Sequence, residues 1–318
     1  MSSRPSPAAA VVLGAGVSAV LAAGWLIHGG ERPRPPASPD SRPPRVTLPV
    51  SSPARPPDLP WPASGQAAVR VAGQPGSLRT HGEQRPVPIA SLTKVMTALV
   101  VLTDHPLTGT AEGPSIEVDR QAATEAGNPD ESTVPVAEGQ RFTERQLLEL
   151  MLIPSGNNAA RLLARWDAGS EQAFAARMNA TAARLGMRKT TYTGASGYED
   201  TTVSTAADQL ELAEQAMRNP VLRDVVATAR TTVPGVPGAI VNTNKLLGLP
   251  GVVGLKTGTS TAAGGALLWA VRRPSGDRDR LVLGVVLRQG EPGDTLGERK
   301  AAAFAASRRL IAAVQRPR

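Results

Sequence analysis

The sequence predicts an α+β fold in which strands from both ends of the chain form one antiparallel sheet packed with a helical middle. Three observations predict it. Short stretches with strand alternation occur before Ser91 and return after Pro250, and the long interval between them carries apolar residues at helical spacing. The balance of 41% hydrophobic and 19% charged residues over 318 positions is that of a globular chain, long enough to bury a substantial core.

The amino end stands apart from this domain. After Arg4, residues Ala8 to Ile27 read AAAVVLGAGVSAVLAAGWLI without a charge. A helix of about 20 such residues, rising about 1.5 Å each, spans a bilayer core of about 30 Å. Residues 1–30 are therefore expected to be an N-terminal membrane anchor or signal segment; Ala22-Ala23-Gly24 offers a small-residue cleavage site, and cleavage there would give a secreted protein. Arg4 before the span and Arg32 and Arg34 after it set its orientation only weakly. Residues 31–63 are so rich in proline that neither helix nor ladder continues through them, which predicts an extended spacer.

The folded domain is expected over residues 64–318. QAAVRVAG and GSLRTHG read as two strands joined by Gly73-Gln74-Pro75-Gly76. The period then changes: Leu92, Val95, Met96, Leu99 and Val100 form the stripe of a buried helix, closed by Pro106. Thr143 with Gln146 three residues later is a capping box opening the helix LLELMLI. Pro154-Ser155-Gly156 breaks it, and a second helix follows around Ala159 to Trp166. Further helices are expected from Ser170 to Leu185, stopped by Gly186, and from Thr205 to Met217. Val252 to Ser260, Gly265 to Arg272 and Leu281 to Arg288 read as strands, and a terminal helix from Leu296 to Val314 carries Phe304, Leu310 and Ile311.

Composition excludes several chemistries. With no cysteine there are neither disulfides nor thiolate metal sites. The net charge of +8 suits anionic lipid or an anionic wall polymer, but aromatics at 3% and the lack of a basic stripe with stacking residues argue against nucleic acid. A Ser-His-Asp hydrolase is disfavoured too, because His28 ends the apolar span, His81 and His105 have no partner pattern, and no GxSxG elbow occurs.

The lysines are more informative. Of 35 basic residues only five are lysine: Lys94, Lys189, Lys245, Lys256 and Lys300. Arginine keeps its proton in a protein, whereas a lysine lowered by burial and neighbouring charge acts as a base. In SLTK, Ser91 and Lys94 stand three apart, about one helical turn, within reach of a hydrogen bond. Ser91 is also a good N-cap for the helix that follows. Two more short motifs follow in order: Ser155, Gly156 and Asn157 in the break between two helices, and Lys256, Thr257 and Gly258 on a strand.

SxxK, SxN and KTG in this order are the motif set of class A β-lactamases and penicillin-binding proteins. With RPVPIASLTKVMTA, TERQLLELMLIPSGNNAA, FAARMNATAARLGM, STAADQLELAEQAM and NTNKLL before GVVGLKTGTS, the chain from about Ser64 onward resembles the low-molecular-weight penicillin-binding proteins that are serine-type D-alanyl-D-alanine carboxypeptidases. The resemblance implies a β-lactamase/transpeptidase-like fold, with Ser91 as nucleophile and Lys94 as its base. It implies that Ser155 bridges Lys94 and Lys256 and passes a proton to the leaving amine, and that Asn157 holds the substrate's peptide amide. Lys256 would supply positive potential, Thr257 and Thr259 would bind the terminal carboxylate, and the backbone N–H groups of Ser91 and of Thr259, the residue after Gly258, would hold the oxyanion. Implied partners are peptidoglycan stem peptides ending in D-Ala-D-Ala, with β-lactams as covalent inhibitors; no cofactor or metal is implied. Such an enzyme works on the wall, so the domain is expected outside the cytoplasm at the cell membrane. A class A-like β-lactamase fits less well, since no ExxLN stretch lies between SxN and KTG. A protein that binds penicillin or stem peptides without turnover is the alternative from another class.

Overall fold

The computed structural model describes residues 58–275 and 279–316. The expected anchor and most of the expected spacer lie outside the described residues. Among the described residues, no helix is long and apolar enough to cross a membrane.

An opening hairpin, β1 (Gln66–Val71) and β2 (Arg79–His81), turns through the predicted Gly73 to Gly76 tetrad. Strand β3 (Val87–Pro88) leads through one 3-10 turn, Ala90–Leu92, into α1 (Thr93–Asp104). The helical middle comprises β4 (Ser115–Glu117), α2 (Arg120–Glu125), β5 (Arg141–Thr143), α3 (Glu144–Leu152), α4 (Asn157–Ala168) and α5 (Glu171–Arg184). It continues with β6 (Val203–Ser204), α6 (Ala206–Ala216), α7 (Pro220–Ala227), β7 (Arg230–Thr231) and β8 (Ile240–Val241). The chain then returns to the sheet as β9 (Val252–Ser260), β10 (Gly264–Arg273) and β11 (Arg280–Gln289), and ends in α8 (Leu296–Gln315).

The main sheet is antiparallel throughout, in the order β2-β1-β11-β10-β9, so strands from both chain ends do share it. Helix starts follow local chemistry. The Thr143 hydroxyl accepts from Gln146 N–H while the Gln146 side chain accepts from Thr143 N–H, the predicted capping box, and Ser170 and Thr205 cap α5 and α6. What sequence reading missed is short: α2, α7 and the strand pairs β3–β6, β4–β5 and β7–β8. The strands have two or three residues each, too few to show a period, and α2 and α7 have only six and eight.

Strands β10 and β11 are apolar almost continuously because both faces of the sheet are covered. One face packs Leu268, Ala270, Leu283 and Val285 against the helical middle. The other packs Leu267, Trp269, Val282 and Val286 against Ala303, Ala306, Leu310 and Ile311 of α8. Trp269 is fully buried across from Gly284, where an added Cβ would stand 2.0 Å from the indole. The folded part begins earlier than residue 64: Leu59 and Trp61 pack against the α8 cluster, and Trp61 stacks on His81 with ring centroids 5.5 Å apart. Their apolar bulk overrides the prolines around them.

Candidate active site

Ser91 does not cap α1. The helix starts at Thr93 with Leu92 at the capping position and no side-chain cap, whereas Ser91 sits inside the preceding 3-10 turn. That turn opens with Ala90, whose φ of +46° lies in the left-handed region, an uncommon and strained choice for a residue with a Cβ. The Ser91 hydroxyl instead meets Lys94 Nζ at 2.9 Å.

Lys94 is fully buried, yet its amine has three oxygen partners. It lies 2.6 Å from Asn157 Oδ1 and 2.7 Å from the Ser196 carbonyl, besides Ser91 Oγ. Burial pushes its pKa well below the usual lysine value, and the cations of Lys256 and Arg161 push the same way. Glu199 and Glu131 oppose them.

The backbone of the SxN loop aims the Asn157 side chain at this amine. Ser155 adopts a left-handed φ of +74° between α3 and α4, Gly156 N–H returns to the Leu150 carbonyl, and Asn157 N–H donates to the Ser132 carbonyl at 2.8 Å. Asn157 thus enters α4 with its carbonyl oxygen on Lys94 and its amide nitrogen on the Glu131 carboxylate. The bridge expected of Ser155 is not made: among the described residues no hydrogen bond joins its hydroxyl to either lysine. The three partners of Lys94 are those named above, and Lys256 Nζ donates to the Thr257 carbonyl at 3.2 Å. The substrate-holding task expected of Asn157 is likewise narrowed, because its carbonyl oxygen already serves Lys94.

Strand β9 forms the other wall. Gly258 lies against the serine turn so closely that an added Cβ would stand 2.9 Å from the Ile89 carbonyl and 3.2 Å from Ser91 N. Gly258→Val is therefore expected to force β9 away from Ser91 and slow β-lactam acylation about 10²-fold, the scale of a 1 Å misplacement. Stopped-time labelling of variant and parent, with melting temperatures alongside, checks it. Lys256 is buried, and burial with the Lys300 cation lowers its pKa to about 7. The hydroxyls of Thr257 and Thr243 are 2.7 Å apart, and Thr243 N–H donates to the Ile153 carbonyl, tying β9 to the approach to the SxN loop. Thr259 Oγ1 donates to the Gly258 carbonyl at 2.7 Å.

Ser91, Lys94 and Asn157 are thus joined directly, with Gly258 against the serine turn and Lys256 within electrostatic range. Sequence reading missed Ser196, whose contribution is a backbone oxygen, and Glu131 and Arg161, which carry no motif. Arg161 pairs with Glu131 at 2.7 Å and Glu125 at 3.2 Å, and its guanidinium lies 5.7 Å from the centre of the Tyr198 ring. His105, expected to lack a partner, has one in Asp167 at 3.0 Å. That pair sits at the far end of α1 from Ser91, about 18 Å along the axis.

A mixed α+β fold with a serine beside a buried lysine defines the class as a serine-type hydrolase. The family model for D-alanyl-D-alanine carboxypeptidases matches residues 62–288, and the chain belongs to that family. It is 36% identical over 214 residues to the D-alanyl-D-alanine carboxypeptidase DacB2 of Mycobacterium tuberculosis, covering 64% of this chain and 69% of that one. It is 34% identical over 211 residues to a D-alanyl-D-alanine endopeptidase of Pseudomonas aeruginosa, covering 65% and 63% respectively. The crystal structure of the Streptomyces K15 DD-transpeptidase superposes with a TM-score of 0.67 at 25% identity, covering 80% of this chain and 99% of that one.

Proposed function

We propose that this protein removes the terminal D-alanine from peptidoglycan stem peptides through an acyl-enzyme on Ser91. The set of partners around Lys94 Nζ carries the reading. A neutral amine has two N–H donors and one lone pair. Asn157 Oδ1 and the Ser196 carbonyl can only accept, so they claim both N–H groups, and the lone pair is left for the one partner that can donate, the Ser91 hydroxyl. Low pKa and geometry thus favour the same role for Lys94, a general base.

Ser91 Oγ attacks the carbonyl of the penultimate D-alanine as its proton passes to Lys94. The C–N bond then breaks as the proton held by Lys94 moves to the departing D-alanine amine, which leaves the lysine neutral again. The Ser155 hydroxyl relays that proton once it turns toward Lys94 in the substrate complex, taking one as it gives one. Water cleaves the ester and restores the serine. The N–H groups of Ser91 and Thr259 hold the oxyanion, a role supported by the close approach of Gly258 to Ser91 N. Lys256 supplies positive potential, Thr257 and Thr259 take the terminal carboxylate, and the second amide hydrogen of Asn157 serves the substrate's peptide group. A β-lactam presents a similar amide and carboxylate and acylates the same serine. Endopeptidase and transpeptidase outcomes use these residues with a different bond or acceptor. The apolar segment 8–27 supports a placement at the outer face of the cell membrane, or secretion after cleavage.

Two lysines with opposed tasks predict the pH dependence. Lys94 must be neutral, so acylation rises as pH climbs through its lowered pKa; Lys256 must be charged, so acylation falls as pH passes about 7. The kcat/KM profile should be a bell with its alkaline limb near that value. Lys300→Gln removes a neighbouring cation and should move this limb to higher pH.

Release of D-alanine from an acetylated peptide ending in D-Ala-D-Ala, by the full chain, tests the function. Binding of that peptide without release would leave a stem-peptide-binding protein in its place.

A further inference from the structure

Behind Asn157 lies a group that no step above uses. The Glu131 carboxylate accepts from Asn157 Nδ2, from Asn128 Nδ2 at 2.9 Å and from both terminal nitrogens of Arg161 at 2.7 and 3.2 Å. Its side chain is 4% exposed, and its pKa lies below the usual glutamate range: burial raises it, but the hydrogen bonds of Arg161 and Asn157 outweigh that. It is therefore an ionised group able only to accept.

That restriction propagates. An amide side chain has an accepting end and a donating end of nearly equal size, and its neighbours decide which way it faces. An acceptor-only carboxylate on one side compels Asn157 to turn its NH₂ there and its oxygen toward Lys94. With that oxygen in place the neutral amine spends an N–H on it and keeps its lone pair for Ser91. If the amide were reversed, its N–H would compete with the serine hydroxyl for the lone pair.

We propose that Glu131 is a positioning residue which sets the orientation of the Asn157 amide and through it aims the Lys94 lone pair at Ser91. This rests on Lys94 being the base for Ser91. The charged groups facing Lys94 are Lys256 from β9, Arg161 from α4, Glu199 from the loop before β6, and Glu131 itself from the loop before β5. Glu131 favours the protonated lysine while Arg161 disfavours it. Glu131→Gln therefore has two separable consequences: the amide orientation loses its determinant, and Lys94 loses a carboxylate that favours its charge while Arg161 keeps only Glu125 as counter-charge.

The test is the pH profile of acylation by a fluorescent penicillin, measured on the full chain. Glu131→Gln is expected to lower the plateau rate at least tenfold and to move the acid limb to lower pH. Glu131→Asp keeps an acceptor-only group and should retain more of the rate, which also serves if the glutamine variant folds poorly. Glu125→Gln, which removes the other partner of Arg161 without touching Asn157, should stay within about twofold of the parent plateau. A Glu131→Gln profile with parental rate and limb overturns the proposal, as does an equal loss in Glu125→Gln. Failure of the parent itself to acylate at Ser91 would instead sink the reading beneath it.

Discussion

Ser91→Ala is expected to lose covalent labelling by a fluorescent penicillin altogether and to lower D-alanine release by on the order of 10⁴-fold or more, the scale of removing a serine nucleophile. The loss should be chemical rather than structural. Ser91 lies in a 3-10 turn whose Oγ caps nothing, so the backbone that begins α1 does not depend on its hydroxyl. The apolar stripe of Leu92, Val95, Met96 and Val100 remains buried as before. The variant should melt within a few degrees of the parent, since about 1 kcal/mol from the Lys94 hydrogen bond is the main contribution removed. Labelling that survives would move the nucleophile to another residue.

Lys94→Arg should be nearly as severe, at about 10²- to 10⁴-fold in the acylation rate. The substitution puts a permanent cation where the reaction needs a neutral amine and so separates charge from proton transfer. A guanidinium does not give up its proton at any accessible pH. It therefore offers Ser91 no lone pair, and raising the pH should not restore the rate. If Lys94 acted only as a fixed positive charge, the arginine variant would retain much of its activity and respond to pH as the parent does. Arginine is also larger than the fully buried lysine site allows, so melting curves must accompany the rates.

The parts of this protein that were legible in sequence are those whose causes are local or periodic. The stripe of α1 and the strand β9 announce themselves through residue spacing. The Thr143 capping box and the caps on Ser170 and Thr205 do so through adjacent residue types. The scarcity of lysine in an arginine-rich chain pointed to Lys94 and Lys256, and both are buried with lowered pKa values. What sequence could not supply is pairing across space. Ser196 acts through a backbone carbonyl that any residue would provide, and it reaches Lys94 only because the loop after α5 folds back on α1. Glu131 directly follows Asn128-Pro129-Asp130, turn-forming residues with no motif to mark the glutamate. The bridge expected of Ser155 failed for a related reason: motif order says which groups share a cleft, but not which of them bond one another.

Trapping the acyl-enzyme tests the central claim most directly. The full chain is mixed with benzylpenicillin, quenched in acid, weighed intact and digested for peptide mapping. One penicillin adduct per chain, located on the peptide at Ser91, is the predicted result. An adduct on another side chain, or binding with no covalent mass increase, would contradict the account.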